Sequence, residues 1–169
     1  MRPKIAVDID GVLADIHTAV FRRLGLNLRA EDIRVWDFFE ELGLERRVFW
    51  DAYRELWSRD YRSIPLIEES APQTIAALRE RYVVDIVSCR PTDTWAGTAE
   101  WLRWRGIGYD DLRLLPPKAE KTELKEYIFF VDDNPNMALR DRGRVIIYDR
   151  PWNRVIEGVR RIRSLMELI

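Results

Sequence analysis

The fold prediction for this 169-residue chain starts from residues 4–11, Lys4-Ile5-Ala6-Val7-Asp8-Ile9-Asp10-Gly11 (KIAVDIDG). It is a short apolar run that ends in two carboxylates and a glycine. Strands buried on both faces of a parallel sheet have such nearly continuous apolar runs, and ligands bind beyond their carboxyl ends. Gly11 allows the chain to turn sharply behind the two acids. The segment therefore predicts a buried parallel strand with a small-molecule site at its end.

Apolar runs of the same kind recur along the chain and alternate with helical patterns. Further strands are predicted at residues 83–88, 128–131 and 145–148, with a weaker candidate at 112–115. Helices are predicted from Pro72 toward Val83, at 94–105 and at 155–169, where apolar residues recur every three or four positions. Strands that alternate with helices form βαβ units and a parallel sheet, so we predict an α/β fold.

Residues 15–71, which we call the insert, interrupt this alternation because they contain no convincing strand. The insert predicts helices over His17–Leu24, Ala30–Leu42 and Arg46–Tyr61, and eight of the 19 aromatic residues lie between Trp36 and Tyr61. We therefore expect an α/β core formed by residues 1–14 and 72–169, with a helical insertion formed by residues 15–71.

Composition and charge exclude several classes of protein. With 28 basic and 29 acidic side chains the formal net charge is −1, which argues against a nucleic-acid partner. The single cysteine, Cys89, excludes a disulfide framework and a cysteine-rich zinc site. No run approaches the roughly 18 apolar residues of a membrane span. We expect a soluble, cytoplasmic protein with a small-molecule partner; the sequence leaves its oligomeric state open.

Four carboxylates follow two of the predicted strands. Asp8 and Asp10 end the first strand, and Asp132 and Asp133 end the strand that begins at residue 128. Four acids at neighbouring strand ends would repel one another unless a cation lay between them. Mg²⁺ prefers carboxylate and carbonyl oxygens and retains waters for a phosphate ligand, so we predict a Mg²⁺ site.

Residues suited to phosphate follow the strand at 83–88. Ser88 offers a hydroxyl and a backbone N–H, and Arg90 could reach a phosphate or form a structural salt bridge. Cys89 lies between them and is either part of this binding segment or a buried apolar residue. Lys118 and Lys121 precede the Asp132 strand, where a lysine can balance the acids and hold a phosphate.

These motifs, in this order, resemble those of the haloacid dehalogenase-like (HAD) hydrolase superfamily. The matching residues are DIDGVLAD (8–15), Ser88, a lysine at 118 and VDD (131–133). The resemblance implies a Rossmann-like parallel sheet of five strands in the order 3-2-1-4-5, flanked by helices, with a small all-helical cap after strand 1. It also implies a Mg²⁺-dependent phosphomonoester hydrolase.

The resemblance assigns a role to each motif residue. Asp8 would attack phosphorus and form an aspartyl-phosphate, and Asp10 would protonate the leaving oxygen and then activate water. Mg²⁺ would be held by Asp8, the main-chain carbonyl of Asp10 and Asp133, with Asp132 close by or acting through water. Ser88 and a lysine would bind the phosphoryl oxygens. The spacing of fourteen residues before Asp132 favours Lys118 over Lys121.

The insert and three shorter motifs point to one branch of the superfamily. SCRP (88–91), VDDNP (131–135) and YDRPWNR (148–154) look most like the 5'(3')-deoxyribonucleotidase-like branch, in which cap aromatics clamp a base. The candidates for such a wall here, with Trp36 and Phe39 foremost, are Trp36, Phe38, Phe39, Trp50 and Trp57. The alternative reading is that these side chains fill a small core of the insert.

We therefore expect a phosphatase that acts on a small phosphorylated metabolite, with a nucleoside monophosphate as the leading substrate. Two alternatives stay open. A phosphomutase would use the same motifs, and a binding or regulatory protein could have the same fold with the aromatic insert as a partner surface.

Overall fold

The computed structural model describes residues 2–169, so Met1, the first residue of the predicted core, lies outside the described residues. Over that range six strands form one parallel sheet in the order β3-β2-β1-β4-β5-β6. The strands are β1 (Lys4–Val7), β2 (Val83–Cys89), β3 (Asp111–Leu115), β4 (Tyr127–Asp132), β5 (Val145–Tyr148) and β6 (Arg160–Ile162). The predicted α/β fold and the order 3-2-1-4-5 are confirmed, with β6 added beyond β5.

The opening motif forms the middle of the sheet. In β1, Val7 pairs with Ile86 of β2 on one side and with Val131 of β4 on the other. Side chains alternate along the strand, so Ile5 and Val7 pack into one hydrophobic cluster and Ala6 packs into another on the opposite face. The two acids that follow β1 are thereby fixed at the centre of the carboxyl edge.

Helices cover both faces of the sheet. They are α1 (Ile16–Arg23), α2 (Arg46–Arg59), α3 (Ala71–Arg81), α4 (Trp95–Trp104) and α5 (Pro135–Arg140). Residues of α1 to α4 pack into the cluster that contains Ile5 and Val7, and α5 packs into the cluster that contains Ala6. The insert therefore shares one continuous hydrophobic core with the sheet.

The predicted helix over residues 155–169 is wrong. The segment contains β6, which pairs with β5, and a short 3-10 helix at Leu165–Leu168. Its apolar stripe is only partly buried, because Val155 is 79% exposed while Ile162 and Leu165 are buried. Pairing with the open edge of β5 supplies backbone hydrogen bonds that outweigh the helical pattern.

The predicted helix over residues 30–42 is also wrong. The segment forms one 3-10 turn at Ala30–Asp32, followed by turns. The rings of Phe38 and Phe39 stack with their centroids 4.5 Å apart, and both pack against Phe49 of α2. The segment makes a helix-type hydrogen bond from the Leu42 N–H to the Phe38 carbonyl but no longer helix, and both rings are buried against α2. The other two helices of the insert are confirmed as α1 and α2.

The insert docks on the core through α2 and α4. Gly97 of α4 faces the backbone of α2 so closely that a Cβ atom at this position would lie 1.5 Å from the carbonyl oxygen of Trp57. The Trp57 and Trp101 rings meet edge to face, and Trp101 donates its indole N–H to the carbonyl of Ile64. These contacts hold α2 beside the carboxyl edge of the sheet.

None of the helices formed within residues 2–169 combines the length and the apolar character that a transmembrane helix requires.

Candidate active site

The carboxyl ends of β1, β2 and β4 open into a cavity of about 460 Å³, within the range of small-molecule sites. The sheet supplies its polar floor, which includes Asp8, Asp10, Ser88, Asp132 and Asp133. The wall is largely aromatic and comes mostly from the insert: His17, Trp36, Phe38, Phe39, Phe49, Trp50 and Tyr53, joined by Trp152 from the loop after β5. The cavity thus combines a charged end with an apolar side.

Three of the predicted acids converge at the floor. Asp8, Asp132 and Asp133 are buried, and one carboxylate oxygen of each lies within 4.8 Å of those of the other two. The parallel pairing of β1 with β4 produces this juxtaposition, because it aligns the ends of the two strands. Asp10 lies two residues beyond Asp8 and points to a different set of partners.

Lys121, rather than Lys118, contacts the acid cluster. Its Nζ lies 2.8 Å from Asp8 Oδ1 and 2.6 Å from Asp132 Oδ2, and the residue is only 7% exposed. Burial alone would lower the pKa of Lys121, but contact with Asp132 and Asp8 raises it, so the ammonium stays charged. Lys118 lines the cavity from an exposed position. The preference for Lys118 is therefore corrected: the 3-10 turn Lys121–Glu123 directs the later lysine inward.

Asp133 is held by the loop that follows β5. Trp152 donates its indole N–H to Asp133 Oδ2 at 3.1 Å, and Asn153 Nδ2 donates to the Asp133 carbonyl at 2.9 Å. On the other side lies Gly11, where a Cβ atom would come within 2.1 Å of the carboxylate. Burial, followed by the nearby charges of Asp132 and Asp8, raises the pKa of Asp133 well above its usual range.

Both carboxylate oxygens of Asp10 are occupied. Tyr53 of α2 donates its hydroxyl to Asp10 Oδ2 at 2.6 Å, and Arg90 Nη2 lies 2.7 Å from Oδ1. Burial raises the pKa of Asp10, although the neighbouring Arg90 opposes that shift. Burial also raises the pKa of Tyr53 well above its usual value, so its hydroxyl remains a neutral hydrogen-bond donor.

The end of β2 and the residue that follows it separate into a part that lines the cavity and a buried part. Ser88 and Cys89 line the cavity, and burial raises the pKa of the Cys89 thiol to about 11, so it is protonated near neutral pH. Arg90 is 1% exposed and contacts Asp10, Ser88 Oγ and Thr98 Oγ1 instead of facing the cavity. The structure therefore contradicts a direct substrate contact for Arg90 and favours the structural alternative.

The aromatic wall also differs in part from the sequence prediction. Trp36 and Trp50 are exposed at the cavity rim, whereas Phe38 and Phe39 are largely buried in its lining. Trp57 does not line the cavity; it is fully buried, with the Arg90 guanidinium 4.3 Å from its ring centroid. Core packing is therefore the correct reading for Trp57.

His17 belongs to the same wall as a packed, neutral residue. Its ring centroid lies 4.9 Å from that of Trp152 and 5.6 Å from that of Phe38. Burial, followed by the charge of Arg150, lowers the pKa of His17 to about 3. The side chain is uncharged near neutral pH.

Sequence reasoning missed four residues of the aromatic wall: His17, Phe49, Tyr53 and Trp152. One signal for Tyr53 was present, because Trp50, Tyr53 and Trp57 recur at helical spacing on α2 and so share a face. That face meets the cavity and the core together. The position of Trp152 depends on β6 and its loop, which the sequence pattern did not reveal.

The acid cluster suits a divalent cation. It offers three buried carboxylates in one small volume, while Lys121 contacts only two of them. Asp133 has no ion-pair partner within residues 2–169, and an isolated buried carboxylate is costly in free energy. A hard, oxygen-seeking ion such as Mg²⁺ would supply the missing positive charge.

Comparison with known proteins agrees with this arrangement. A family model described as "5' nucleotidase, deoxy (Pyrimidine), cytosolic type C protein" matches residues 2–169. A search of curated protein sequences found no significant match.

Solved structures show the same fold at low sequence identity. A protein described as a predicted phosphatase from Clostridium acetobutylicum has a TM-score of 0.64 at 11% identity, with 99% of this chain and 96% of that chain covered. The HAD-hydrolase YfnB from Bacillus subtilis, whose structure was determined bound to magnesium, has a TM-score of 0.57 at 14% identity, with coverage of 99% and 97%. A HAD-superfamily hydrolase from Geobacter sulfurreducens has a TM-score of 0.58 at 16% identity, with coverage of 99% and 98%.

Proposed function

Because the chain belongs to the cytosolic type C family of 5' nucleotidases, and is therefore a phosphatase of the nucleotidase type, we propose that its substrate is a deoxynucleoside monophosphate. The description of the family contains the words "deoxy" and "Pyrimidine", so a deoxypyrimidine nucleoside 5'-monophosphate is the first candidate substrate. The observation that carries the proposal is the cavity itself, in which buried acids and Lys121 lie at one end and aromatic rings line the side.

The proposed reaction has two steps, with Asp8 as the nucleophile of the first and water as the nucleophile of the second. A carboxylate oxygen of Asp8 attacks phosphorus, the bond from phosphorus to the ester oxygen breaks, and Asp10 gives a proton to the departing oxygen. Water then attacks the aspartyl-phosphate while Asp10 takes a proton from it. The bond between phosphorus and Asp8 breaks, which releases phosphate and restores both acids.

Residues at the floor would stabilise the transferred group. Lys121 already contacts Asp8, so its ammonium is placed to neutralise phosphoryl oxygens that develop charge. Ser88 faces the same cavity from the end of β2 and offers a hydroxyl to the phosphate. Lys118, exposed at the rim, would meet the substrate only outside this floor.

Asp8, Asp132 and Asp133, with the main-chain carbonyl of Asp10, would hold Mg²⁺. The ion would supply positive charge to the phosphate oxygens when bound. Trp152 and Asn153 fix the orientation of Asp133 for this role through their hydrogen bonds to its carboxylate and carbonyl oxygens.

The insert would act as the cap that selects the substrate. Its exposed Trp36 and Trp50 and the buried pair Phe38 and Phe39 line the same cavity as the acids. A nucleobase has two flat apolar faces, and stacking on aromatic rings is its usual mode of protein recognition without sequence specificity. The polar floor and the aromatic side thus match the two ends of a nucleotide.

Hydrolysis of a substrate panel with Mg²⁺ tests the proposal. The panel contains deoxypyrimidine, deoxypurine and ribonucleoside 5'-monophosphates together with sugar phosphates, and both free phosphate and isomerised product are measured. We expect phosphate release, with the highest kcat/KM for the deoxypyrimidine nucleotides. Asp8→Asn should abolish release and retain the fold, because it removes the nucleophile and keeps the shape.

The outcomes separate the alternatives. Isomerisation without phosphate release would indicate a mutase. Equal turnover of nucleotides and sugar phosphates would refute the nucleotide assignment, and turnover by Asp8→Asn at the wild-type rate would refute the aspartyl-phosphate mechanism.

A further inference from the structure

The acid–base residue of the proposed reaction is anchored from the insert as well as from the core. Tyr53 lies on α2 and donates to Asp10 Oδ2 at 2.6 Å, while Arg90 reaches Oδ1 from the end of β2 at 2.7 Å. A carboxylate attached through a single flexible bond normally rotates among several orientations. With a hydrogen bond to Oδ2 and an ion pair at Oδ1, the carboxyl group of Asp10 is restricted in its rotation.

The two anchors are themselves rigid. Tyr53 is 2% exposed and packs against Trp50, and Arg90 is 1% exposed. The Arg90 guanidinium uses its other nitrogens on Ser88 Oγ and Thr98 Oγ1 and lies over the Trp57 ring. A group whose neighbours are locked by packing and hydrogen bonds can be held within the narrow tolerance that catalysis requires.

Tyr53 and Arg90 differ in how they contact the Asp10 carboxylate. Arg90 Nη2 forms a close ion pair with Asp10 Oδ1 at 2.7 Å, whereas the Tyr53 hydroxyl forms a hydrogen bond with Oδ2. Tyr53 and Asp10 both line the cavity, where the departing oxygen of a substrate would lie, and Arg90 is buried behind Asp10.

We propose that Tyr53 is a positioning residue that, together with Arg90, orients the Asp10 carboxyl group toward the leaving oxygen, so that the insert takes part in the chemical step as well as in substrate binding. The inference rests on the proposed function, and it adds a role for a residue of α2 that substrate selection does not require.

The consequence is a loss that depends on the leaving group. An alkoxide leaves poorly and needs the proton of Asp10, whereas a 4-nitrophenolate ion is stable and leaves without it. A variant that misorients Asp10 should therefore slow cleavage of a nucleoside monophosphate far more than cleavage of 4-nitrophenyl phosphate. A merely structural role for Tyr53 would slow both substrates equally.

The test compares Tyr53→Phe with wild type in pre-steady-state experiments with Mg²⁺ that follow release of the alcohol, which isolates the first step. We expect that rate to fall roughly tenfold or more for a deoxynucleoside 5'-monophosphate and by less than about threefold for 4-nitrophenyl phosphate, with KM nearly unchanged. Arg90→Lys keeps the charge but loses the forked donor, and it should give the same dependence on the leaving group.

Tyr127→Phe is the matched control. Tyr127 also donates its hydroxyl to a buried carboxylate, Asp85 Oδ2 at 2.9 Å, but it lies at the opposite end of β4 from the cavity. This variant should leave both rates unchanged, and urea unfolding of each protein identifies any variant that fails to fold.

The outcomes distinguish the inference from the proposed function. Wild-type protein that hydrolyses neither substrate would refute the proposed function. Active wild type combined with equal losses for both substrates in Tyr53→Phe, or with a change in KM alone, would refute only the positioning role.

Discussion

Replacement of Lys121 by Met should destabilise the metal-free protein strongly. The ammonium lies 2.8 Å from Asp8 and 2.6 Å from Asp132. At an effective dielectric constant of about 20, each contact contributes about 6 kcal/mol of Coulomb attraction, most of which offsets the cost of burying the charges. Removing one member of such a buried group leaves uncompensated carboxylates, and the expected loss in unfolding free energy is about 3–5 kcal/mol.

The assay is urea unfolding of Lys121→Met and of Lys118→Met, with and without Mg²⁺. For a domain of this size a loss of about 4 kcal/mol lowers the urea midpoint by roughly 2 M. Lys118 is exposed, so its replacement should change stability by less than about 0.5 kcal/mol. Mg²⁺ should stabilise Lys121→Met more than it stabilises wild type, because the acids have lost their only lysine partner.

Two results would refute this reasoning. If both lysine variants lost the same stability, Lys121 would not be the buried partner of the acids. If Mg²⁺ stabilised wild type and Lys121→Met equally, the ion would not bind among the same carboxylates.

Three further changes test the scaffold around the site. Gly97→Ala should lower the unfolding free energy measured in urea by about 3 kcal/mol or more, because the new Cβ would meet a backbone carbonyl of α2. In the control variant Gly143→Ala the Cβ makes only an ordinary contact at 3.8 Å, so the unfolding free energy should be nearly unchanged. Glu68→Gln should lower the unfolding free energy by about 1–3 kcal/mol, because the Glu68 carboxylate accepts three hydrogen bonds from the C-terminal part of the chain. The neighbouring Glu69 is exposed, so the control variant Glu69→Gln should show no such loss. Burial lowers the pKa of His17, the only histidine, from its ordinary value of 6.5 to about 3 in the folded protein. Its contribution to stability is therefore present above about pH 6.5 and is lost as pH falls toward about 3. His17→Phe should therefore reduce the pH slope of the unfolding free energy by up to about one proton between about pH 6 and pH 4, and an unchanged slope would contradict the burial of a neutral imidazole.

The sequence predicted the parts of the fold that depend on local pattern. The apolar composition of the runs that form β1, β2, β4 and β5 identifies them as buried strands. Because the strands pair in parallel, the acids at the ends of β1 and β4 lie at the same edge of the sheet. The last helix failed because helical periodicity at residues 155–169 competes with an open sheet edge, and only three residues, Arg160–Ile162, are needed to pair with that edge. Such a contact depends on tertiary structure and leaves no clear local signal.

The site was predictable where it lies on strands and much less so where it lies on turns. Asp8 follows β1 and Asp132 ends β4, and parallel strands have their carboxyl ends at one edge of the sheet. The structure brings the two carboxylates together there. The choice between Lys118 and Lys121 depends on how the chain turns after Pro116 and Pro117, and spacing alone cannot show which side chain points inward. Tyr53 could be placed on a helix from its sequence, but its contact with Asp10 depends on how α2 docks on the core.

The backbone contact between Gly97 and Trp57 has a consequence for the evolution of specificity. A substrate-selecting segment is commonly treated as a module that can be exchanged while the chemistry stays in the core. Here one helix, α2, carries a rim tryptophan, the tyrosine that contacts the proposed acid–base residue Asp10, and a carbonyl that fits against a glycine of the core. Grafting an insert from a relative would transfer a new specificity only under two conditions. The backbone of the grafted helix would have to fit against Gly97, and the graft would have to supply its own hydroxyl group to contact Asp10. Selectivity and turnover in this protein are therefore expected to change together.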